Sequence, residues 1–490
     1  SMSKNKDENS YRSILKGTSV FGGVQVFQIL INMVRGKFVA LFLGPDGMGV
    51  SALLTSATST VQQFGSLGLN LAIVKEVAAN RDRPETTATV LGVAKKLIYA
   101  TALLGASVCI ILSVPLNAFT FGSSEGNPVW FVFLSLMVFF SIAGSGQMAI
   151  LQGMHAVKRL SVSSLVGATA GLVFGVPLYW LYGTDGIVPA MIILAFTTFV
   201  FYLISVRREL GGDKGNTRLV WSEHGALVKK LISLGMVLMA ATLIGTITHY
   251  GIATFLRAFG SVETVGLYQA ANSVTNQYVG MIISAMSLDY FPRLSAVAAD
   301  NRKVAEIANR QTEIVAFLTT PLIVLLILSA PAVIRILQSD AFLSVTPLMR
   351  WMGFGVLFRL IMFPLGYISY AKDNKRLYFW MEGIAFNLLT LVISLVFFTA
   401  FGLVGLGIGI LVDSCISLCG YYVVNRHYYG FRYSRQSLKV MAYAAVCGGA
   451  ALGSSMISSA WLSYTLMSLV LAISVAVAAV RLRTLLRKAP

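Results

Sequence analysis

Long apolar runs recur along almost the whole chain, and they restrict its fold more than any other feature. A helix needs about 20 apolar residues to cross a membrane, where every backbone polar group must be bonded within the protein. The alternation that a membrane β-barrel requires is absent from the sequence. Fourteen runs of this length predict fourteen transmembrane helices, at approximately 14–43, 46–71, 91–115, 128–152, 159–182, 185–206, 229–254, 265–290, 307–330, 342–370, 377–400, 403–425, 438–457 and 460–480.

The composition also indicates a membrane protein. Of the 490 residues, 56% are hydrophobic and only 12% are charged, and the mean hydropathy is +0.75. A soluble domain of this length does not have such a composition. The sequence therefore predicts an all-α integral membrane protein.

The chain shows signs of an internal duplication. Residues 158–160, Lys-Arg-Leu, recur as residues 375–377, an offset of 217 (375 − 158), and each trio lies in a short polar gap between two apolar runs. The same offset carries Gly49 onto Gly266. A tandem repeat in a hydrophobic chain is typical of transporters, because two similar halves can expose a central site to alternate sides of the membrane.

The repeat predicts the domain organisation. Residues 1–210 form an N-lobe of helices 1–6, residues 211–228 a cytoplasmic linker, and residues 229–430 a C-lobe of helices 7–12. Both copies begin on the same side, so the repeats are parallel and we expect two six-helix bundles with a cleft between them. Residues 431–490 add helices 13 and 14, whose position the sequence leaves open.

The basic residues orient the helices, because loops rich in Lys and Arg stay in the cytoplasm. Of 38 basic residues, 32 fall on one side of the predicted membrane, which places both termini in the cytoplasm and requires an even number of helices. The net charge of +18 then follows from topology and from attraction to anionic membrane lipids. It requires no nucleic-acid partner.

Six basic residues lie outside the cytoplasmic set. Charges inside a membrane usually face protein or a water-filled cavity, and the fork of donors on Arg matches phosphate oxygens. A cationic cleft would thus suit an anionic substrate. Two alternatives remain: that some of these side chains snorkel to the outer headgroups, and that one pairs structurally with Glu382. The six are Arg35, Lys37, Arg257, Arg335, Arg350 and Arg359.

Residues 33–53, MVRGKFVALFLGPDGMGVSAL, resemble the start of polysaccharide-transport flippases of the multidrug/oligosaccharidyl-lipid/polysaccharide exporter superfamily. The family pattern is a basic residue followed by LGPxGxG, and Gly44, Pro45 and Gly49 occupy its turn here. Residues 255–274 resemble the degenerate second copy, which keeps Gly266 but lacks the proline. The stretch from helix 10 into helix 11, GYISYAKDNKRLYFWMEG, is also similar to the family.

The resemblance implies a V-shaped pair of bundles that moves an oligosaccharide on undecaprenyl diphosphate from the inner to the outer leaflet. Its setting would be the bacterial inner membrane, alongside membrane lipids and the glycan polymerase machinery. The sugar repeat, whether O antigen or capsule, is not readable from the sequence. The implied diphosphate ligands are Arg35, Lys37, Arg257, Arg350 and Arg359, and the gate or turn residues are Gly44, Pro45, Gly49 and Gly266.

Further residues are candidates for contacts with sugar and with a coupling ion, either Na⁺ or H⁺. The alternative for the tyrosines and amides is that they join neighbouring helices, and for the acids that a neighbouring helix satisfies them. The proposed sugar contacts are Tyr250, Tyr268, Gln269, Asn272 and Asn276. The proposed coupling residues are Asp413, Asn387 and Glu382.

The sequence gives little support to the hypothesis that this chain is an enzyme. The four His residues lack metal-ligand spacing, and neither a Gly-rich phosphate loop nor a nucleophile elbow is found. We therefore expect no catalytic residues, no resident cofactor and no metal. The alternatives are a multidrug/cation antiporter of the same superfamily, which would favour an acidic or aromatic cleft, a membrane glycan polymerase or ligase, and a scaffold without transport.

Overall fold

The chain is helical throughout the part that the structure describes, and no β-strand occurs there, as predicted. The helices pack into two compact units, Ser1–Ala258 and Phe259–Pro490. The structure, a computed structural model, describes residues 2–80, 83–122, 126–211 and 221–487.

A glycine breaks the first helix of unit 1 at the position where the sequence predicts a boundary. Gly44 has φ +64° and ψ −167°, a backbone conformation that residues other than glycine rarely adopt. Pro45 then occupies the first turn of the next helical segment, where its missing N–H costs little. The helices of this unit are α1 Met2–Gly65, α2 Leu69–Asn80, α3 Pro84–Ile111, α4 Ser113–Phe121, α5 Pro128–Gly153, α6 Val157–Tyr182, α7 Ile187–Glu209 and α8 Trp221–Phe259.

Helix α8 belongs with unit 1, although the repeat counts it as the first helix of the second copy. Its Lys230 Nζ forms an ion pair with Glu76 Oε2 of α2 at 2.7 Å. A Cβ on Gly68 would overlap the carbonyl of Gly235, so two glycines let the backbones come together. Of the predicted linker, residues 212–220 lie outside the described residues, and α8 already begins at Trp221.

Unit 2 contains a second glycine break and a π-helical stretch. Gly402, with φ +64° and ψ −147°, divides α13 where the sequence predicts the boundary between helices 11 and 12. The π-helical stretch Phe379–Ala385 precedes α13. The helices are α9 Val262–Ala296, α10 Asn301–Leu337, α11 Thr346–Ala371, α12 Lys375–Tyr378, α13 Phe386–Tyr429, α14 Arg435–Ser455 and α15 Ala460–Arg487.

The last two helices, which the sequence could not place, pack on α10. Helix α14 contacts α10 and α11, and α15 contacts α10 and α14. The start of α14 is fixed by polar groups of α10: the Ser434 N–H donates to Asn309 Oδ1 at 2.8 Å, and the Ser437 hydroxyl donates to Glu313 Oε1 at 3.1 Å. An acid at a helix N-terminus is favourably placed, so Glu313 has a structural role here.

The duplication is visible in the backbone of one turn. Gly183 and Gly402 both have positive φ, +57° and +64°, and each is followed three residues later by another glycine. A Cβ on Gly186 or on Gly405 would overlap the carbonyl oxygen of the residue eight positions earlier. Both units therefore build the same turn, at an offset of 219 (402 − 183).

A second turn corrects the register of the repeated Lys-Arg-Leu trio. His155 and Asp373 both have φ +56°, and the turns around them contain the same series of backbone hydrogen bonds. This match has an offset of 218 (373 − 155), so residues 158–160 correspond to 376–378. The sequence match at 217 is one residue out of step, because the backbone bonds of the turn set the register.

Eight stretches of the described residues are long and apolar enough to cross a membrane, or nine if the bent pair within α8 is one span. Three of them contain one of the glycine turns and consist of two helices: Val26–Gly65, Val157–Glu209 and Lys375–Tyr429. The predicted count of fourteen crossings, and the cytoplasmic position of both termini, stay predictions.

Candidate substrate and coupling residues

Arg257 of α8 bonds the end of a neighbouring helix in unit 1. Its Nε donates to the Thr120 carbonyl at 3.0 Å, and its Nη2 donates to the Phe119 carbonyl at 2.9 Å. The last carbonyls of a helix lack intrahelical donors and carry partial negative charge. In this structure the guanidinium therefore caps α4, while the sequence suggests it as a diphosphate ligand.

Tyr250, one of the suggested sugar contacts, packs against the same helix. The ring is buried, and its edge meets the Phe119 ring at a centroid distance of 5.3 Å. Its hydroxyl lies 2.6 Å from Thr120 Oγ1. Tyr250 and Arg257 together hold α8 to α4.

Arg350 of α11 satisfies a carbonyl that a proline leaves without its helical donor. Pro331 in α10 has no N–H for the carbonyl of Ile327, four residues earlier. Arg350 Nε donates to that carbonyl at 3.1 Å, and Nη1 donates to the Ser455 carbonyl at the end of α14 at 3.4 Å. Its guanidinium thus joins α10, α11 and α14.

Arg35 of α1 differs from these two arginines. It is half-buried, about two and a half turns before Gly44, and interacts electrostatically with Tyr179 of α6. Within the residues that the structure describes, its guanidinium has neither a hydrogen bond nor an ion pair. Lys37, two residues further on, is also half-buried.

In unit 2, Arg359 of α11 lies among acids. The half-buried guanidinium interacts electrostatically with Glu382, Asp413 and Tyr268, which we call the Arg359 cluster together with Arg359 itself. No hydrogen bond or close ion pair to Arg359 is found among the described residues. The cluster brings together four residues that the sequence assigned to three roles: Arg359 to the diphosphate, Tyr268 to sugar, and Glu382 and Asp413 to ion coupling.

Asp413 has one carboxylate oxygen without a partner. Thr390 Oγ1 donates to Oδ2 at 3.0 Å, while the buried Oδ1 accepts no hydrogen bond from any described residue. The neighbouring Ser414 hydroxyl is also buried and unpartnered there. An unsatisfied buried acceptor is costly, and oxygens of this kind suit a proton or a small hard cation. The described residues contain no group of three or more acidic, His or Cys side chains that could hold a metal ion.

The hydrogen bond to Asp413 comes from Thr390, which the sequence did not suggest, and not from the proposed coupling residue Asn387. The Asn387 amide donates instead to the Glu382 carbonyl at 2.8 Å and to the Gly383 carbonyl at 3.1 Å, both in the π-helical stretch. Asn387 and Thr390 are one turn apart on the same helical face. A single sequence does not show which of two such residues meets the neighbouring helix.

Three further polar candidates line one face of α9, four residues apart. Tyr268 is half-buried, and Asn276 Nδ2 donates to Asn272 Oδ1 at 3.0 Å. Gln269 is half-buried on an adjacent face, and Gly266 is buried, as Gly49 is in unit 1. The face carries donors and acceptors suited to a polar ligand, and its contact with sugar stays a prediction.

A model of the family described as "Polysaccharide biosynthesis protein" matches residues 38–347 of the chain. The Lipid III flippase of Escherichia coli (strain K12) is 22% identical over 384 residues, which cover 77% of this chain and 90% of that protein. The Lipid III flippase of Shigella flexneri gives the same values.

Solved structures with the same fold include two transporters. The lipid II flippase MurJ in an inward closed conformation matches with a TM-score of 0.72 at 14% identity and covers 95% of this chain and 99% of its own. An inward-facing multidrug resistance MATE family transporter of the MOP superfamily matches with a TM-score of 0.70 at 14% identity, covering 84% and 98%. The predicted all-α fold, shared with these transporters, is confirmed.

Proposed function

Because this chain belongs to the polysaccharide biosynthesis protein family, we propose that it is a flippase for a lipid-linked oligosaccharide and not an enzyme. The substrate is an oligosaccharide of the O-antigen or capsule type on undecaprenyl diphosphate. It moves from the inner to the outer leaflet of the bacterial inner membrane by alternating access. The relatives named as flippases of lipid II and lipid III support a lipid-linked substrate.

The observation that carries the proposal is that Arg35 has neither a hydrogen bond nor an ion pair among the described residues. A half-buried guanidinium without a direct protein partner is costly in a membrane, and an anionic ligand would offset that cost. Arg257 and Arg350 already donate to backbone carbonyls, and Arg359 faces two acids. Arg35 is therefore the strongest of the proposed diphosphate ligands.

Asp413 is the group that we assign to ion coupling. Its Oδ1 has no partner among the described residues and is free to bind an ion, and Thr390 holds the other carboxylate oxygen in place. A proton or Na⁺ bound there would change the balance of charge around Arg359. Transport by this chain would then respond to a gradient of the bound ion.

Translocation in proteoliposomes tests the proposal. The probe is undecaprenyl diphosphate bearing a nitrobenzoxadiazole-labelled N-acetylhexosamine, and the assay measures how fast the label moves between leaflets, by its reduction with external dithionite. We expect the wild-type chain to speed this movement and Arg35→Gln to abolish the gain. Arg335→Gln is the matched control, because Arg335 is exposed and paired with the exposed Asp340.

One result would refute the flippase proposal, and another would refute the role of Arg35 in it. One is that the wild-type chain leaves the labelled lipid in its original leaflet while it exports lipophilic cations, which favours the multidrug antiporter. The other is that Arg35→Gln and Arg335→Gln translocate the probe equally well, which removes the role of Arg35.

A further inference from the structure

The two halves of α8 are attached to the rest of unit 1 in different ways. The helix bends by 41° between its segments Glu223–Ala240 and Thr242–Phe259. In the second segment, Tyr250 and Arg257 hold α8 to α4 through a hydroxyl pair and two hydrogen bonds to carbonyls. The first segment, which we call the α8 strap, meets α2 and the turn before α2 instead. The bend therefore separates two segments with independent attachments.

One ion pair holds the strap to α2. Lys230 Nζ lies 2.7 Å from Glu76 Oε2 and 2.9 Å from Oε1, and Asn80 Nδ2 of α2 also donates to Oε1 at 3.2 Å. The side chain of Glu76 is 11% exposed, whereas that of Lys230 is 62% exposed. When the pair opens, the lysine returns to water and the acid keeps the donor on its own helix. This pair therefore opens more easily than a fully buried one.

A close approach of two backbones completes the attachment. A Cβ on Gly235 of the strap would overlap the carbonyl of Leu67, and a Cβ on Gly68 would overlap the carbonyl of Gly235. Because backbone makes this contact, separating it withdraws no side chain from a packed core. Leu67 has φ +49°, a costly conformation for a residue with a bulky side chain and one that is found at switch regions. The strap therefore rests on a strained turn.

Another face of the strap borders open space. Met236 is 50% exposed and Val237 is 68% exposed. Together with Ile232 they help to line a groove of about 880 Å³. A helix packed on every side could not leave α2 without displacing a neighbour. On this face, however, the strap has room to move.

We infer that the α8 strap is a detachable element of the transport cycle, which the Glu76–Lys230 pair latches onto α2 in this structure and which leaves α2 during each translocation by swinging at the bend. The inference rests on the proposed function, since it names one step of alternating access. The ion pair and the glycine contact hold the attached position, and the strain at Leu67 favours release. Tyr250 and Arg257 keep the second segment on α4 throughout.

Alkylation of a buried thiol measures how often the strap is detached. Leu231 is fully buried and lies one turn from Gly235 on the same face of the strap. The thiol of Leu231→Cys therefore reacts with N-ethylmaleimide when the strap opens. Peptide mass spectrometry of the full-length protein in nanodiscs follows this thiol and, separately, that of the native Cys109, which is buried in α3.

The test variant is Glu76→Gln in the Leu231→Cys background. We expect it to raise the alkylation rate of the introduced thiol roughly twofold to fivefold, as for the loss of a partly exposed ion pair, and to leave Cys109 unchanged. The matched control is Glu209→Gln in the same background. Glu209 also forms an ion pair between two helices of unit 1, with Arg159, but neither helix is α8. The control should react at the rate of Leu231→Cys alone.

Cross-linking tests whether translocation requires the strap to open. Glu76→Cys with Lys230→Cys, in a background without the four native cysteines, is joined by o-phenylenedimaleimide. The comparison pair is Asn70→Cys with Ser145→Cys, which joins α2 to α5, where Asn70 Nδ2 already donates to Ser145 Oγ at 3.1 Å. Each is compared with the same variant treated with N-ethylmaleimide, in the dithionite assay. We expect the cross-link across the strap to stop translocation and the other to leave it unchanged.

Three results would overturn the inference. The first is that Glu76→Gln and Glu209→Gln give the same alkylation rate. The second is that Cys109 reacts faster in parallel with the introduced thiol, which means that the whole unit opens and not the strap. The third is that the chain cross-linked across the strap translocates the probe at an undiminished rate, a result that leaves the flippase proposal intact. The alkylation measurement needs no substrate, so it decides about the latch even if translocation fails.

Discussion

Replacing Arg350 by alanine should destabilise the protein even without substrate. Two carbonyls lose their donors: that of Ile327, which Pro331 deprives of its helical partner, and that of Ser455 at the end of α14. Ile327 is fully buried, so water cannot freely replace the guanidinium at its carbonyl, whereas Ser455 is half-buried. The loss of the donor to Ile327 therefore dominates the cost.

The size of the effect follows from the geometry. The bond from Nε, at 3.1 Å, is of ordinary length, while the bond from Nη1, at 3.4 Å, is near the limit for a hydrogen bond. A hydrogen bond from a charged donor contributes about 1.5–3 kcal/mol, and a long one contributes less. We expect Arg350→Ala to lower the free energy of unfolding by about 2–4 kcal/mol. If unit 2 unfolds as one cooperative unit, the apparent melting temperature should fall by roughly 4–10 °C.

Thermal unfolding of purified protein in detergent or nanodiscs measures the shift, with Arg335→Ala as control. Arg335 is 64% exposed in its side chain and pairs with the exposed Asp340, so its loss should change stability by less than about 1 kcal/mol. A double-mutant cycle adds Pro331→Ala, which returns an N–H to the Ile327 carbonyl. In that background Arg350→Ala should cost about 1–2 kcal/mol less.

Either of two results would refute this reasoning. If Arg350→Ala melts with the wild-type chain in the absence of ligand, the guanidinium does not stabilise the packing of α10, α11 and α14. If the effects of Arg350→Ala and Pro331→Ala simply add, the carbonyl freed by the proline is not the group that Arg350 satisfies.

Three shorter predictions test the turn, the α2–α8 contact and the coupling site. Gly405→Ala should destabilise the protein by about 1–3 kcal/mol because its Cβ overlaps a carbonyl, whereas Gly175→Ala, with its nearest neighbour at 3.6 Å, should melt like the wild-type chain. Lys230→Met should cost about 1–2 kcal/mol in a denaturation assay, since it removes an ion-pair partner of the buried Glu76; an unchanged midpoint would contradict this. Asp413→Asn keeps the shape that Thr390 contacts, so we expect unchanged melting but transport that no longer responds to an imposed Na⁺ or H⁺ gradient; a retained response would remove Asp413 from coupling.

The helical breaks were readable from local sequence because local chemistry decides them. Gly44 with Pro45, and Gly402, stand between apolar runs, and the structure turns at both with positive φ. Glycine adopts that conformation at no steric cost, and a proline at the next helix start loses no needed donor. The repeated turn at Gly183 depends on the same local property.

The roles of the basic residues were only partly readable. The sequence singled out Arg35, Arg257, Arg350 and Arg359 by their position in apolar runs, but that position does not show what a guanidinium contacts. In the structure two of them donate to carbonyls of neighbouring helices, and one lies among acids. Such carbonyls belong to distant residues, which a single sequence does not bring together.

Thus the amino-acid order alone specified a helical membrane protein, its duplication and its glycine turns. These features arise from hydrophobicity and from backbone freedom, which are properties of short segments. Packing decided which arginines bond to neighbouring helices, that Thr390 reaches Asp413, and that Glu382 and the Tyr421 hydroxyl both lie beside Gly366. These contacts join residues on different helices, and only the arrangement of the helices in space sets the distances between them.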